Sequence, residues 1–133
     1  MSSIFSKIVS GEIPCYKVAE NDEFLAFLDI MPLATGHTLV IPKKETDYIF
    51  DIEDDAYQRL WVFAKEVAVV LKEKVPCKRI GISVIGLEVA HAHIHLIPLQ
   101  QISDMNFSKE KVPAPQQELA SLARLLFEAG SKA

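Results

Sequence analysis

The chain has 133 residues, 50% of them apolar, a size that fits one compact domain able to bury roughly two thirds of its unfolded surface. Its 18 acidic and 14 basic side chains leave a net charge of -4 and are mixed rather than gathered into blocks, which argues against a nucleic-acid backbone as partner. No apolar run approaches the roughly 20 residues of a membrane span, and the opening MSSIFSKIVSGEIP lacks the charged and apolar regions of a secretion signal, so a soluble, cytoplasmic protein is expected.

In chain order, SSIFSKIVSG predicts a short helix that Ser3 can cap and Gly11 can end. Cys15 and Cys77 form no C-x-x-C pair and read as reduced, buried filler. YKVAEN and EFLAFLDI read as two strands joined by the polar turn Glu20-Asn21-Asp22. MPLATG breaks the pattern, and HTLVIPKK follows as a third strand rich in β-branched residues. From Asp54 to Lys74 the apolar positions Tyr57, Leu60, Trp61, Ala64, Val67, Ala68 and Leu71 keep the spacing of a helix lying on a core, and Pro76 stops it. RIGISVIG and VAHAHIHLIP predict two more strands, with a tight turn or bulge at Gly86-Leu87-Glu88. After the loop-like VPAPQ, the segment QQELASLARLLFEAG predicts a final helix with Gly130 at its end. The order implies an α+β fold: a five-stranded antiparallel sheet, one long central helix, and short N- and C-terminal helices. The whole span 1–133 reads as a single domain.

HAHIHLIP, residues 91–98, holds three of the four histidines at every second position. Strand geometry would put His91, His93 and His95 on one face, about 6.6 Å apart, looking into a cleft or water, with Ala92, Ile94 and Leu96 turned to the core. Two imidazolium charges at about 7 Å repel by roughly 2.4 kcal/mol at an effective dielectric of about 20, so the array must keep at least one neutral, nucleophilic ring beside rings able to carry a proton. Three readings stay open. The histidines are polar filler on an exposed face. Or they ligate zinc, with His37 supplying a ligand, although a single straight strand does not converge its side chains tetrahedrally. Or an imidazole performs covalent catalysis on phosphorus, needing no deprotonation at neutral pH and forming a P–N bond that water later breaks, while its neighbours steady the phosphate and protonate the leaving group.

The segment H-A-H-I-H-L-I resembles the H-φ-H-φ-H-φ-φ signature of the histidine triad nucleotide-binding family, φ being apolar. Ile4-Phe5-Ser6-Lys7-Ile8 with Gly11-Glu12-Ile13-Pro14 is similar to the family's opening, and Phe27-Leu28-Asp29-Ile30 with Gly36-His37-Thr38-Leu39-Val40-Ile41-Pro42-Lys43 to its nucleoside-binding half. The resemblance implies that His93 is the nucleophile, that His95 contacts the phosphate, and that His91 and His37 form a relay behind the nucleophile. It implies that Asp29 accepts hydrogen bonds from the ribose hydroxyls, as a carboxylate can from a vicinal diol, and that Ile4, Phe5, Ile8, Phe27 and Ile30 line the base pocket. It further implies a homodimer, a nucleotide as small-molecule substrate, no cofactor, and hydrolysis or transfer at the α-phosphate of a nucleoside monophosphate derivative of phosphoramidate type. A dinucleoside polyphosphate hydrolase and a slow or inactive nucleotide sensor or scaffold are the alternatives.

The chain also departs from the family. Some bacterial members carry Cys-x-x-Cys at the opening and bind a structural zinc, whereas Ser3 and Ser6 stand there, so no such zinc is expected. Leu87 replaces a phosphate-contacting glutamine, and the upstream asparagine is missing, the chain's asparagines being Asn21 and Asn106. Glu88 stands either as a substitute acid near the leaving group or as a solvated turn residue. The tail, residues 99–133, lacks the family's tryptophan-containing ending and is where substrate choice is expected to differ.

Overall fold

The computed structural model describes residues 3–131; Met1, Ser2, Lys132 and Ala133, which belong to the opening segment and to the ends of the expected 1–133 domain, lie outside the described residues. Helix α1 (Ile4–Val9) starts where Ser3 Oγ accepts the Ser6 N–H at 3.0 Å, satisfying one of the amides a helix start leaves free. Strands β1 (Lys17–Glu20) and β2 (Phe24–Leu28) pair through a turn in which Asn21 Oδ1 accepts the N–H groups of Glu23 and Phe24. Then come β3 (Thr38–Pro42), the long α2 (Asp54–Lys74), β4 (Arg79–Ser83), β5 (Ile94–Leu99) and α3 (Gln116–Ser131). Acidic Asp54 and Asp55 open α2 and basic Lys72 and Lys74 close it, each complementing the helix dipole.

The five strands form one antiparallel sheet in the order β1-β2-β3-β5-β4. Alternation along the strands divides the interior in two. Phe24, Ala26, Leu28, Val40, Ile94 and Leu96 face α2 and α3 and join Leu60, Phe63, Val67, Leu71 and Leu126 in the main core. Leu25, Phe27, Leu39 and Ile41 face the other way and pack on Phe5 of α1 in a second cluster. Each such buried side chain contributes about 1.5–3 kcal/mol relative to an exposed one. His95 pairs with Leu39 in register, so it projects on the α1 side, away from the main core.

The elements follow the expected order with four differences. Strand β5 begins at Ile94, so His91 and His93 precede the strand, and the connection from β4 is a loop over 84–93 in which Gly86 takes a positive φ of 75°. The main chain over 91–93 is committed instead to other partners: Ala92 N–H reaches Thr46 O at 2.6 Å. Helix α3 continues through Gly130 to Ser131, with the Ser131 hydroxyl bonded back to Phe127 O. Short 3-10 turns, Ile49–Asp51 and Ile102–Met105, stand in stretches for which the sequence predicts no element. Among the described residues no helix is long and apolar enough to cross a membrane.

Candidate functional site

Three pieces of the chain bring the four histidines together: the turn before β3 supplies His37, the bent segment before β5 supplies His91 and His93, and β5 supplies His95. Gly36, at φ 93°, makes the first possible, because the turn needs a left-handed residue just before His37 and a Cβ there would press on the side chains of Val75, Leu71 and Pro98. All four rings are buried, His91 completely, so the expected outlook onto water is replaced by a packed site flanked by aromatics. Phe5 stands edge-on to His93 at 5.0 Å and to His91 at 5.8 Å.

Main-chain partners fix which nitrogen of each neutral ring carries the proton. His93 Nδ1 lies 2.8 Å from the His91 carbonyl, which can only accept, so Nδ1 is protonated and Nε2 keeps its lone pair. His37 Nδ1 accepts the Leu33 N–H at 3.0 Å, so its proton is on Nε2, which donates to His95 Nδ1 at 2.9 Å. His95 therefore carries its own proton on Nε2. His91 Nε2 donates to Pro42 O at 2.7 Å, and its Nδ1 accepts from the Ser3 hydroxyl at 2.8 Å.

This overturns the expected pairing of His91 with His37: His37 serves His95, and His91 is held by Ser3 and Pro42 while its carbonyl orients His93. The charge balance agrees. Burial first, then the neighbouring His95, pushes His37 down to about 3. Burial and the proximity of His93 bring His95 down to about 4, and burial lowers His91 as well. A lone-pair nitrogen on His93 thus faces the same region as an N–H of His95, the two rings 4.9 Å apart, with no imidazolium required.

Asp29 closes the site on one side. Its Oδ1 accepts the Met31 N–H at 2.8 Å, its Oδ2 lies 3.6 Å from His37 Nε2, and burial raises its pKa despite the Met31 bond. With His37 neutral, that contact is not an ion pair. Phe5, Phe27 and the half-buried Ile8 come together in the α1 cluster, whereas Ile4 and Ile30, 50% and 65% exposed, stand outside it. Glu88 is exposed in the 84–93 loop, away from any hydrogen bond among the described residues.

For a metal, the triad itself does not converge, because His91 points its nitrogens at Ser3 and Pro42. The donors that do lie together are Asp29, His37 and His95, within 4.8 Å of one another. The second region of interest, Ser3, Ser6, Glu45 and His91, presents neutral hydroxyls in place of thiolates and is already saturated internally: Glu45 Oε1 accepts Ser3 N–H and the Ser6 hydroxyl, both at 2.6 Å, which hold its carboxyl down near 2. That donor set does not fit a structural zinc.

Sequence reasoning missed Glu45, Phe107 and Lys111. Phe107 lies edge-on to His95 at 4.8 Å and to His37 at 6.4 Å. Nothing local in the sequence marks it, since the contact arises from the tail crossing back over the sheet.

A family model described as HIT domain matches residues 10–102. An uncharacterized HIT-like protein of Borreliella burgdorferi is 41% identical over 102 residues, covering 71% of this chain and 73% of that one. An adenosine 5'-monophosphoramidase of Schizosaccharomyces pombe is 38% identical over 99 residues, 74% of each chain. Among solved structures, a Hit-like protein from Bartonella henselae superposes with a TM-score of 0.82 at 30% identity over 96% of both chains.

Proposed function

Because the chain belongs to the HIT, or histidine triad, family, matched over residues 10–102, we propose that it is a nucleotide hydrolase or transferase acting on the α-phosphate of a nucleoside monophosphate with a labile leaving group of phosphoramidate type. The similarity to a monophosphoramidase supports that substrate class. The observation that carries the reading is the His93 ring, pinned through Nδ1 to the His91 carbonyl at 2.8 Å so that Nε2 is left as an aimed, uncharged nucleophile.

In the proposed reaction His93 Nε2 forms a bond to phosphorus as the bond to the leaving group breaks. The His95 Nε2 N–H donates a hydrogen bond to a phosphate oxygen, its direction held by the His37 bond behind it, and the amine leaves with a proton taken from solvent. Water then breaks the P–N bond, returning His93 and releasing the nucleoside monophosphate. Asp29 receives the ribose hydroxyls, and Phe5, Phe27 and Ile8 pack against the base, with Ile4 and Ile30 at its outer edge. No metal or cofactor takes part in any of these steps.

The described residues are read as one domain extending through the tail, and the free edge of β4, where Ile82 is exposed, as the place where a second copy extends the sheet into a homodimer. The two free cysteines suit a reducing cytoplasm. Incubation with a nucleoside 5'-phosphoramidate tests the chemistry: the wild-type chain should release amine and, quenched in alkaline denaturant to preserve the P–N bond, yield a nucleotidyl adduct mapping to His93, and His93→Ala should still bind nucleotide but turn nothing over. An unchanged rate in His93→Ala removes the mechanism. Binding without product in the wild type would favour the sensor reading, which the covering of His95 by Phe107 supports.

A further inference from the structure

After β5 and the 3-10 turn that follows it, the chain doubles back across the histidines before entering α3. Both ends of this crossing are fastened. At the near end Asp104 Oδ2 accepts the N–H groups of Gln100 and Gln101 at 2.8 and 3.0 Å. At the far end Leu119, Ala123 and Leu126 are buried in the main core. Between them the segment is held by Lys109 Nζ on Asp104 Oδ1 at 3.3 Å and by Val112 N–H on Pro32 O at 3.0 Å, the latter tying it to the loop that carries Asp29.

Two side chains of the segment face the site. Phe107 stands against His95 as described above. Lys111 places its ammonium 3.0 Å from Phe107 O and 3.4 Å from Lys109 O, both neutral carbonyls of its own segment. Its charge reaches both Asp29 and His37, working against the burial that raises the Asp29 pKa and adding to the burial and His95 effects that lower that of His37. A cation bonded to neutral carbonyls, with the Asp29 carboxylate near but spending its Oδ1 on the Met31 N–H, gains more from a phosphate oxygen placed beside it than from the carbonyls it holds. The usual donors for such an anion are absent: Leu87 is 88% exposed and offers none.

We propose that the segment from Asn106 to Val112 is the specificity element of the site, in which Lys111 leaves its carbonyls to pair with a non-bridging oxygen of the nucleotide phosphate and Phe107 moves off His95 to admit it. The proposal rests on the nucleotide reading above. It makes Lys111 the replacement for the missing amide donors, and it makes entry selective, since an uncharged ligand gains nothing from releasing the lysine. The covering segment comes from the same chain as the histidines it covers, so the gate acts within each protomer.

The test is a calorimetric comparison of a nucleoside 5'-monophosphate with its uncharged nucleoside on the full chain, for wild type, Lys111→Met, Lys111→Arg and Phe107→Ala. Lys111→Met should weaken monophosphate binding by roughly tenfold or more, the scale of a hydrogen bond to a charged group, and leave the nucleoside unchanged. Lys111→Arg should recover most of the loss. Phe107→Ala should tighten both ligands while keeping their ratio. Equal weakening of both ligands in Lys111→Met would mean the lysine only holds the segment in place, and an unchanged ratio would mean it does not meet the phosphate; either overturns the proposal while the nucleotide reading stands. Failure of the wild type to bind either ligand removes both.

Discussion

His37 Nε2 lies 2.9 Å from His95 Nδ1, and the direction of that hydrogen bond is set from behind, by the Leu33 N–H on His37 Nδ1. A main-chain amide therefore dictates which nitrogen of His95 presents a proton to a ligand. Removing the donor in His37→Ala should release His95 to either tautomer and lower kcat about tenfold to a hundredfold, part of what an aimed hydrogen-bond donor to the phosphate contributes. His37→Gln, which can still donate near the same place, should restore some of the rate. The check is kcat together with the ring nitrogen shifts of His95 by NMR; a variant with both unchanged would mean the pair is packing alone.

How much of this was legible beforehand varied with the range of the signal. Helix α2 could be read residue by residue because 21 positions repeat one apolar period. The five strands followed from turn residues between apolar and β-branched runs, whereas their order in the sheet, with β5 between β3 and β4, carries no local signal. The start of β5 could not be read, because H-x-H-x-H satisfies strand alternation whether or not the main chain is extended, and here His91 and His93 spend ring nitrogens on the carbonyls of Pro42 and His91. The pairing of His37 with His95 spans 58 residues and carries no spacing rule. The crossing of the tail was invisible for the same reason: Phe107 and Lys111 sit in a segment without periodicity.

Asp29 should trade stability for binding. Its half-buried carboxyl has a raised pKa, so the ionised form needed to accept two ribose hydroxyls is held at a cost to the fold. Asp29→Asn keeps an oxygen for the Met31 N–H but no charge to desolvate, so its melting temperature at neutral pH should equal or exceed that of the wild type, while affinity for a nucleoside falls roughly tenfold. A melting temperature well below wild type would contradict this account of the carboxylate.

Acid should unfold the protein early, and the histidines should be the main reason. His37 and His95 have folded values of about 3 and about 4 against the ordinary 6.5, so between these limits the unfolded chain binds more protons than the folded one. Their contribution is whole above 6.5 and is lost as pH falls toward the folded values, amounting to a few kcal/mol on the order-of-magnitude scale of such shifts. Asp29, with its raised pKa, acts in the opposite sense and offsets a part. Urea unfolding followed from pH 7 to pH 4.5 should show a falling midpoint, and His37→Gln should flatten the curve. A midpoint that stays level across this range would contradict burial of the neutral rings.

The last prediction concerns the support behind the nucleophile. His91 Nδ1, in a fully buried residue, receives the Ser3 hydroxyl at 2.8 Å, while the Ser6 hydroxyl 3.5 Å away spends its proton on Glu45 Oε1. His91 in turn offers the carbonyl that holds His93, and the segment between them is pinned by Ala92 N–H on Thr46 O, one residue from Glu45. Ser3→Ala should therefore leave a buried acceptor poorly served, costing about 1–3 kcal/mol and lowering the melting temperature by several degrees. Its effect on turnover should fall on kcat more than on nucleotide affinity, because what shifts is the aim of His93 and not the base or ribose contacts. Ser3→Thr keeps the hydroxyl and should restore both, whereas Glu45→Gln, which retains an oxygen for Ser3 N–H and the Ser6 hydroxyl, should change little. Equal losses in kcat and affinity in Ser3→Ala would mean that α1 as a whole has come loose and that Ser3 has no specific hold on His91.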